Sequence, residues 1–200
     1  GQTANSARAA ASHTGAMSGT REVYEGVLRQ LGLVISPSME LLFPLGHALI
    51  ERPRMGGRRV AIVTMGGSWG VALSDSLEAQ GLHVPEFGSD LQNRLRALGL
   101  PGRASTRNPV DIGASGLFRE AGLMVQIGRE ILASGEADAL VLHGVGRPGR
   151  EVPGDRMEGS PSFVEIQERI LKAYADLEKE THRPVMIGTH YTPWESQAVF

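Results

Sequence analysis

The sequence contains no cysteine, which excludes a disulfide framework, a thiolate metal site and a thiol nucleophile. No uninterrupted apolar run approaches the ~20 residues needed to cross a bilayer, and the first residues lack the apolar core of a signal peptide. No charge of either sign dominates: the net charge is -2, so neither nucleic acid nor an anionic membrane is expected as a partner. Aromatic residues are sparse, at 5%, which is ordinary for an α/β protein. The remaining class is a soluble, cytoplasmic α/β protein. Its 200 residues suffice for one α/β domain, or for one domain and part of another.

Along the chain, Val23, Val27 and Leu31 recur at helical spacing from Thr20 onward, and Gly32 closes that helix. Leu33-Val34-Ile35 reads as a short buried strand. Ser36-Pro37-Ser38 offers capping chemistry for a helix bearing Leu42, Leu45 and Leu49, which Pro44 should kink or shorten. Arg52 to Arg58 is basic, glycine-rich and aperiodic, as a linker is.

Beyond it, strands and helices alternate. Val60 to Thr64 is a β-branched run of the kind buried on both faces. A helix from Trp69 to Gln80 follows. His83 to Phe87 is a weaker strand, pushed to an edge by Pro85. Ser89 caps a helix carrying Leu91, Leu95 and Leu98. Val110-Asp111-Ile112 leads into a helix with Leu123, Ile127 and Ile131, ended by Gly135. Ala139 to His143 is a buried strand. Ser160-Pro161-Ser162 opens a helix with Phe163, Ile166, Ile170, Tyr174 and Leu177 on one face, and Val185-Met186-Ile187 is the last clear strand. Such alternation predicts a parallel, three-layer domain in which Val60–Thr64, Val110–Ile112, Leu140–Leu142 and Val185–Ile187 share one sheet. Ligands in such sheets bind at the carboxyl ends of the strands.

One stretch carries chemistry: Ala9-Ala10-Ala11-Ser12-His13-Thr14-Gly15-Ala16-Met17-Ser18-Gly19 sets a single histidine among small residues. A neutral imidazole is a good nucleophile toward phosphorus, and small neighbours leave room for a phosphoryl group on its ring. An inert loop histidine fits the same composition. The segment resembles the phosphohistidine loop of the NDP-forming acyl-CoA synthetases, the superfamily that includes succinyl-CoA synthetase. Val60 to Val71, with Gly66-Gly67-Ser68 and then Asp75, resembles that family's strand, glycine turn and helix. Asn108-Pro109-Val110-Asp111 resembles its Asn-Pro-Val-Asp loop. The three motifs occur in the family's order and cover nearly the whole chain.

The resemblance implies a flavodoxin-like domain over residues 55–200, incomplete at its end, preceded by the C-terminal part of a second such domain, the histidine domain, over residues 1–54. It implies an acid–thiol ligase that interconverts acyl-CoA, NDP and phosphate with acid, CoA and NTP through an acyl phosphate and a phosphohistidine. His13 would accept the phosphoryl group, with Thr14 and Gly15 binding its oxygens. Gly66, Gly67 and Ser68 would bind phosphate at a helix start, where unpaired N–H groups favour anions. Asn108 and Asp111 either line the site or form a turn that shapes the chain. His143-Gly144-Val145-Gly146 stands where succinyl-CoA synthetase carries a glycine pair opening a phosphate-binding helix, which makes Gly144 a candidate lining residue.

The implied substrates are CoA, a small carboxylic acid and ATP/ADP or GTP/GDP with its Mg2+. The implied partners are a CoA-binding Rossmann domain and an ATP-grasp domain or subunit, in an oligomer. The CoA and nucleotide sites fall mainly outside this stretch, which alone should not complete the reaction. The remaining histidines show no metal spacing. The proline-rich, charged stretch Arg147 to Asp155 departs from succinyl-CoA synthetase; its arginines either bind an anion or are solvated. A different class stays open, a regulatory, small-molecule-sensing module of acetyltransferase fusions, although those relatives tend to lose the histidine. A flavin mononucleotide domain fits less well, because the turn after the first strand lacks a Ser/Thr-rich phosphate loop.

Overall fold

A computed structural model of the protein describes residues 3, 5, 6, 8, 9, 12, 20–113, 121–145 and 162–189. The chain divides into two compact units, Gly1–Arg52 and Pro53–Phe200.

In the first unit, α1 (Arg21–Gln30) follows Thr20 at its N-cap. Glu25 pairs with both Arg21 and Arg29 along one side of the helix. Gly32, at φ +69°, turns the chain out of it, donating its N–H to the Arg29 carbonyl at 3.0 Å. α2 spans Leu42–Glu51. Leu33 to Ile35, expected as a strand, has no ladder partner among the described residues and is irregular; an extended segment becomes a strand only when its N–H and C=O groups are paired laterally. Ser36-Pro37-Ser38 does not open α2. The helix starts later, so that Pro44 falls in its first turn, where a missing N–H costs nothing.

The second unit holds a parallel sheet of β1 (Val60–Thr64), β2 (Val110–Asp111), β3 (Ala139–His143) and β4 (Val185–Gly188), in the order β2-β1-β3-β4. This is the single parallel sheet that the alternating pattern predicts. Its helices are α3 (Gly67–Ala79), α4 (Ser89–Ala97), α5 (Ala121–Ala133) and α6 (Phe163–Thr181). β1 and β3 are buried along their whole length, and their residues alternate between the two faces. Ala61, Val63, Leu140 and Leu142 join a core with Leu91 and Leu95 of α4, Met124, Ile127 and Ile131 of α5, and Ile170, Tyr174 and Leu177 of α6. The other face receives α3, whose Gly70 comes so close that a β-carbon there would stand 3.0 Å from Pro109 Cβ and 3.3 Å from Thr64 Cγ2.

Several boundaries differ from expectation for local reasons. α3 begins at Gly67, with Gly66 extended at its N-cap. Gly88 rather than Ser89 caps α4, and Leu98 lies just past its end. His83 to Phe87 contributes only an isolated parallel bridge from His83 to Arg59, since Pro85 has no N–H to give a ladder. Ser162 caps α6 through a reciprocal box with Glu165. Ser160, Pro161 and the side chain of Phe163 lie outside the described residues.

Candidate functional site

The register brings the strand ends into one row. Thr64 stands beside Asp111 on one side and His143 on the other, and His143 stands beside Gly188. This row is the carboxyl edge of the sheet, where parallel α/β folds hold ligands.

Thr64 is fully buried and shapes the glycine turn that follows it. Its hydroxyl donates to the Gly66 carbonyl at 3.1 Å and accepts the Gly66 N–H at 3.3 Å. The N–H groups of Trp69 and Gly70 turn back to the Gly66 carbonyl. Those of Gly67 and Ser68 find no acceptor among the described residues, as the first turn of a helix dictates. Gly67 and Ser68 are also exposed, so an anion can reach these two donors.

Asp111 faces that helix start. Its Oδ1 accepts the Gly113 N–H at 2.8 Å, while its Oδ2 lies 2.9 Å from the point where a β-carbon on Gly67 would stand. Glycine at position 67 therefore makes room for the carboxylate. Around the Asn108-Pro109 bond, which is cis, the chain folds back on itself. Ser105 and Asp111 exchange backbone hydrogen bonds at 2.9 and 3.1 Å as an antiparallel bridge. The fold-back carries Arg103 alongside Gly113, with Nε 3.8 Å from the position of a Gly113 β-carbon.

Asn108 points away from this edge. It is buried, its Oδ1 accepts the Ile62 N–H at 2.9 Å, and its Nδ2 donates to the Val60 and Pro85 carbonyls at 3.0 and 2.9 Å. The side chain completes β1 where β2 is too short to pair with it, so its polar atoms are spent on the backbone.

On the other side of Thr64, the buried imidazole of His143 stacks obliquely on the half-exposed indole of Trp69, with ring centroids 4.6 Å apart at 34°. Gly188 admits that imidazole, since a β-carbon there would lie 2.9 Å from His143 Cδ2. Gly144 leaves β3 at φ +94°, a conformation that suits glycine, and Met65 packs over it.

Of the residues singled out in the sequence, Gly66, Gly67, Ser68, Asp111 and Gly144 all lie at this carboxyl edge, whereas Asn108 supports it from within. His13, Thr14, Gly15, Gly146 and the Arg147–Asp155 stretch lie outside the described residues. Arg103 and the Trp69–His143 stack carry no sequence signal of their own, because each depends on a bridge or register between distant segments. Among the described residues no group of three or more His, Asp or Glu side chains could hold a metal ion. None of the described helices is long and apolar enough to cross a membrane.

Residues 1–49 match the succinyl-CoA ligase like flavodoxin domain. Subunit alpha of ADP-forming acetate–CoA ligase II from Pyrococcus furiosus is 33% identical over 130 residues, covering 63% of this chain and 28% of that protein. The ADP-forming 4-hydroxybutyrate–CoA ligase of Nitrosopumilus maritimus is 30% identical over 112 residues, 56% of this chain and 16% of that one. Among solved structures, dinucleotide forming acetyl-coenzyme A synthetase 1 of Ca. Korarchaeum cryptofilum, in complex with phosphate and ADP, superposes with a TM-score of 0.74 at 26% identity. That match covers 98% of this chain and 39% of the other. PH0766 from Pyrococcus horikoshii OT3 shares the fold, with a TM-score of 0.69 at 22% identity over 90% of this chain and 38% of that one. The chain thus spans well under half the length of each of these relatives. The similarity to NDP-forming acyl-CoA synthetases expected from the three motifs is thereby shown, as is the flavodoxin-like fold.

Proposed function

We propose that this chain is the phosphohistidine-carrying part of an acid–thiol ligase that interconverts acyl-CoA, ADP and phosphate with a carboxylic acid, CoA and ATP. The observation that carries the reading is Ser12-His13-Thr14-Gly15-Ala16 within the 49 residues that match the succinyl-CoA ligase like domain. On this reading residues 1–54 are the C-terminal part of the histidine domain, and residues 55–200 are most of a second flavodoxin-like domain.

His13 attacks the phosphorus of an acyl phosphate; the N–P bond forms as the P–O bond to the acyl group breaks, and the acid leaves as its carboxylate. Thr14 and Gly15 donate to the phosphoryl oxygens. The exposed N–H groups of Gly67 and Ser68, on the turn opened by Gly66, offer a second set of fixed donors for a phosphate, with Asp111 and Gly144 bordering them. Asn108 acts from behind by holding β1 in place.

A CoA-binding Rossmann domain and an ATP-grasp domain or subunit supply what the described residues do not, namely the CoA and nucleotide sites. The name of the Pyrococcus relative, a subunit alpha, supports a partner chain, and the ADP-forming relatives support ADP over GDP. Mg2+ arrives with the nucleotide. The setting is cytoplasmic and the assembly an oligomer. The Pyrococcus furiosus, Nitrosopumilus and Korarchaeum relatives are named as CoA ligases or synthetases, which favours this reading over a regulatory module of an acetyltransferase.

The test is labelling. Incubated with γ-labelled ATP and an ATP-grasp partner, the protein acquires an acid-labile, base-stable label on His13. A His13→Ala variant that labels as strongly as the wild type overturns the assignment.

A further inference from the structure

Among the described residues of the second unit, three large hydrophobic side chains are exposed, Trp69, Val71 and Met186. Met186 lies within β4, and Val71 projects about 200° around α3 from Trp69, so Trp69 alone stands at the carboxyl edge. Its indole is held from two sides. Cδ1 lies 3.7 Å from the position that a β-carbon on Gly66 would take, which puts the ring over the turn at the end of β1. The ring also stacks on His143 at the end of β3, with centroids 4.6 Å apart, and Gly188 at the end of β4 makes room for His143. Three strand ends thus seat one aromatic ring, and the residue is still 45% exposed. A scattered exposed aromatic calls for no explanation. One fixed at the ligand edge of a parallel sheet offers an apolar contact whose conformational entropy is already spent.

Resting on the functional reading above, we propose that the open part of the Trp69 indole is a wall for the acyl group of the substrate, and that it makes the enzyme favour acids with a branched apolar chain over acetate. Two parts of the substrates suit an indole, the acyl group and the purine of ATP or CoA. The acyl group is joined to the transferred phosphorus through one bridging oxygen, whereas a ribose holds a purine away from its nearest phosphate. An indole that overlies the Gly66 turn itself is therefore placed for the acyl group. The strand ends on this side of the sheet, residues 65–69, 143–145 and 188–189, carry no lysine, arginine, aspartate or glutamate, which suits an apolar chain. An acetyl methyl covers little of such a surface. A branched chain removes more of it from water and gains in proportion to that area.

The experiment assays the complete enzyme, with its ATP-grasp partner, for acid-dependent formation of CoA thioester from acetate and from 3-methylbutanoate. Trp69→Ala and Trp69→Phe are run beside the wild type, with melting curves to verify folding. Wild type is expected to show a kcat/KM for 3-methylbutanoate at least about tenfold above that for acetate, since single methylenes in an apolar site discriminate on that scale. Trp69→Ala is expected to lower that ratio about fivefold or more, chiefly through the KM of the branched acid, and Trp69→Phe, which keeps a ring, to retain most of it. A wild type that prefers acetate, a ratio that Trp69→Ala leaves as it was, or an equal fall for both acids, as from a merely structural role, each overturns the inference. Labelling of His13 from γ-labelled ATP is followed in parallel. Labelling without turnover of either acid, or without the selectivity, refutes this inference alone. An unlabelled His13 with no thioester formed refutes the functional reading, and this inference with it.

Discussion

Asn108 Oδ1 accepts the backbone N–H of Ile62 at 2.9 Å, so a side chain completes the ladder of β1 where β2 has run out. Its amide nitrogen takes the carbonyls of Val60 and Pro85. Replacing Asn108 by Ala leaves three buried or half-buried backbone groups unpaired. At about 1 kcal/mol or more for each, Asn108→Ala should lose about 3 kcal/mol of unfolding free energy in a denaturant titration. A loss under about 1 kcal/mol would show that the loop, not the side chain, holds β1.

A second tight contact lies between α5 and α6. Tyr174 is fully buried, its ring lies over Gly128, and its hydroxyl donates to the Met124 carbonyl at 2.6 Å. A β-carbon at Gly128 would meet the ring at 2.7 Å. Alanine gains about 1 kcal/mol of helix propensity over glycine, but here the rigid ring must move, at a cost of roughly 1–3 kcal/mol. Gly128→Ala is therefore expected to be destabilising, against its propensity, and Tyr174→Phe to cost about 1 kcal/mol. A Gly128→Ala protein that melts higher than wild type contradicts the packing. Burial also pushes the Tyr174 phenol far above its ordinary range. Its contribution is complete below the unfolded-state value of about 10 and declines as pH rises beyond it.

The parallel sheet was legible because β1 and β3 are continuous apolar runs between glycine turns, a pattern with few alternatives. The glycine turn at Gly66 was legible for the same reason. Leu33 to Ile35 misled because an apolar run suggests a buried strand, whereas here all three residues are exposed and have no lateral partner among the described residues. Asn108 was ambiguous because an Asx turn and a site residue have the same composition; the target of its amide, 46 and 48 residues away, is a tertiary fact. Arg103 was invisible, since only the bridge between Ser105 and Asp111 carries it to the edge.

At the amino edge, Arg59 clasps Asp138 with Nε and Nη2 at 3.0 and 2.7 Å, and donates its backbone N–H to the same carboxylate at 2.9 Å. Hydrogen bonding from the Arg59 side chain, against a smaller cost of burial, holds the Asp138 carboxyl below its ordinary value. A depressed folded-state pKa stabilises above the unfolded value of about 3.9, and that contribution disappears as pH falls through the folded value. Asp138→Asn should therefore melt below wild type at neutral pH and converge with it in strong acid. Parallel melting curves at every pH would show that the pair contributes nothing, as exposed pairs can.

Gly67 tests the site directly. It is the first residue of α3, exposed, with its N–H unpaired among the described residues, and its missing side chain leaves the space in which Asp111 Oδ2 stands. Gly67→Ala introduces one methyl, which would stand 2.9 Å from Asp111 Oδ2 and so makes that flexible carboxylate swing aside. Gly67→Val adds bulk over the two free donors as well. Because a first-turn position tolerates either residue, the melting free energy should change by less than about 1 kcal/mol. Phosphohistidine formation should fall modestly in the alanine variant and about tenfold or more in the valine variant, as expected when backbone donors to a phosphoryl group are obstructed. A valine variant that folds and labels His13 at the wild-type rate would remove the glycine turn from the mechanism. The reactive histidine would then depend on donors from its own loop, beginning with Thr14 and Gly15.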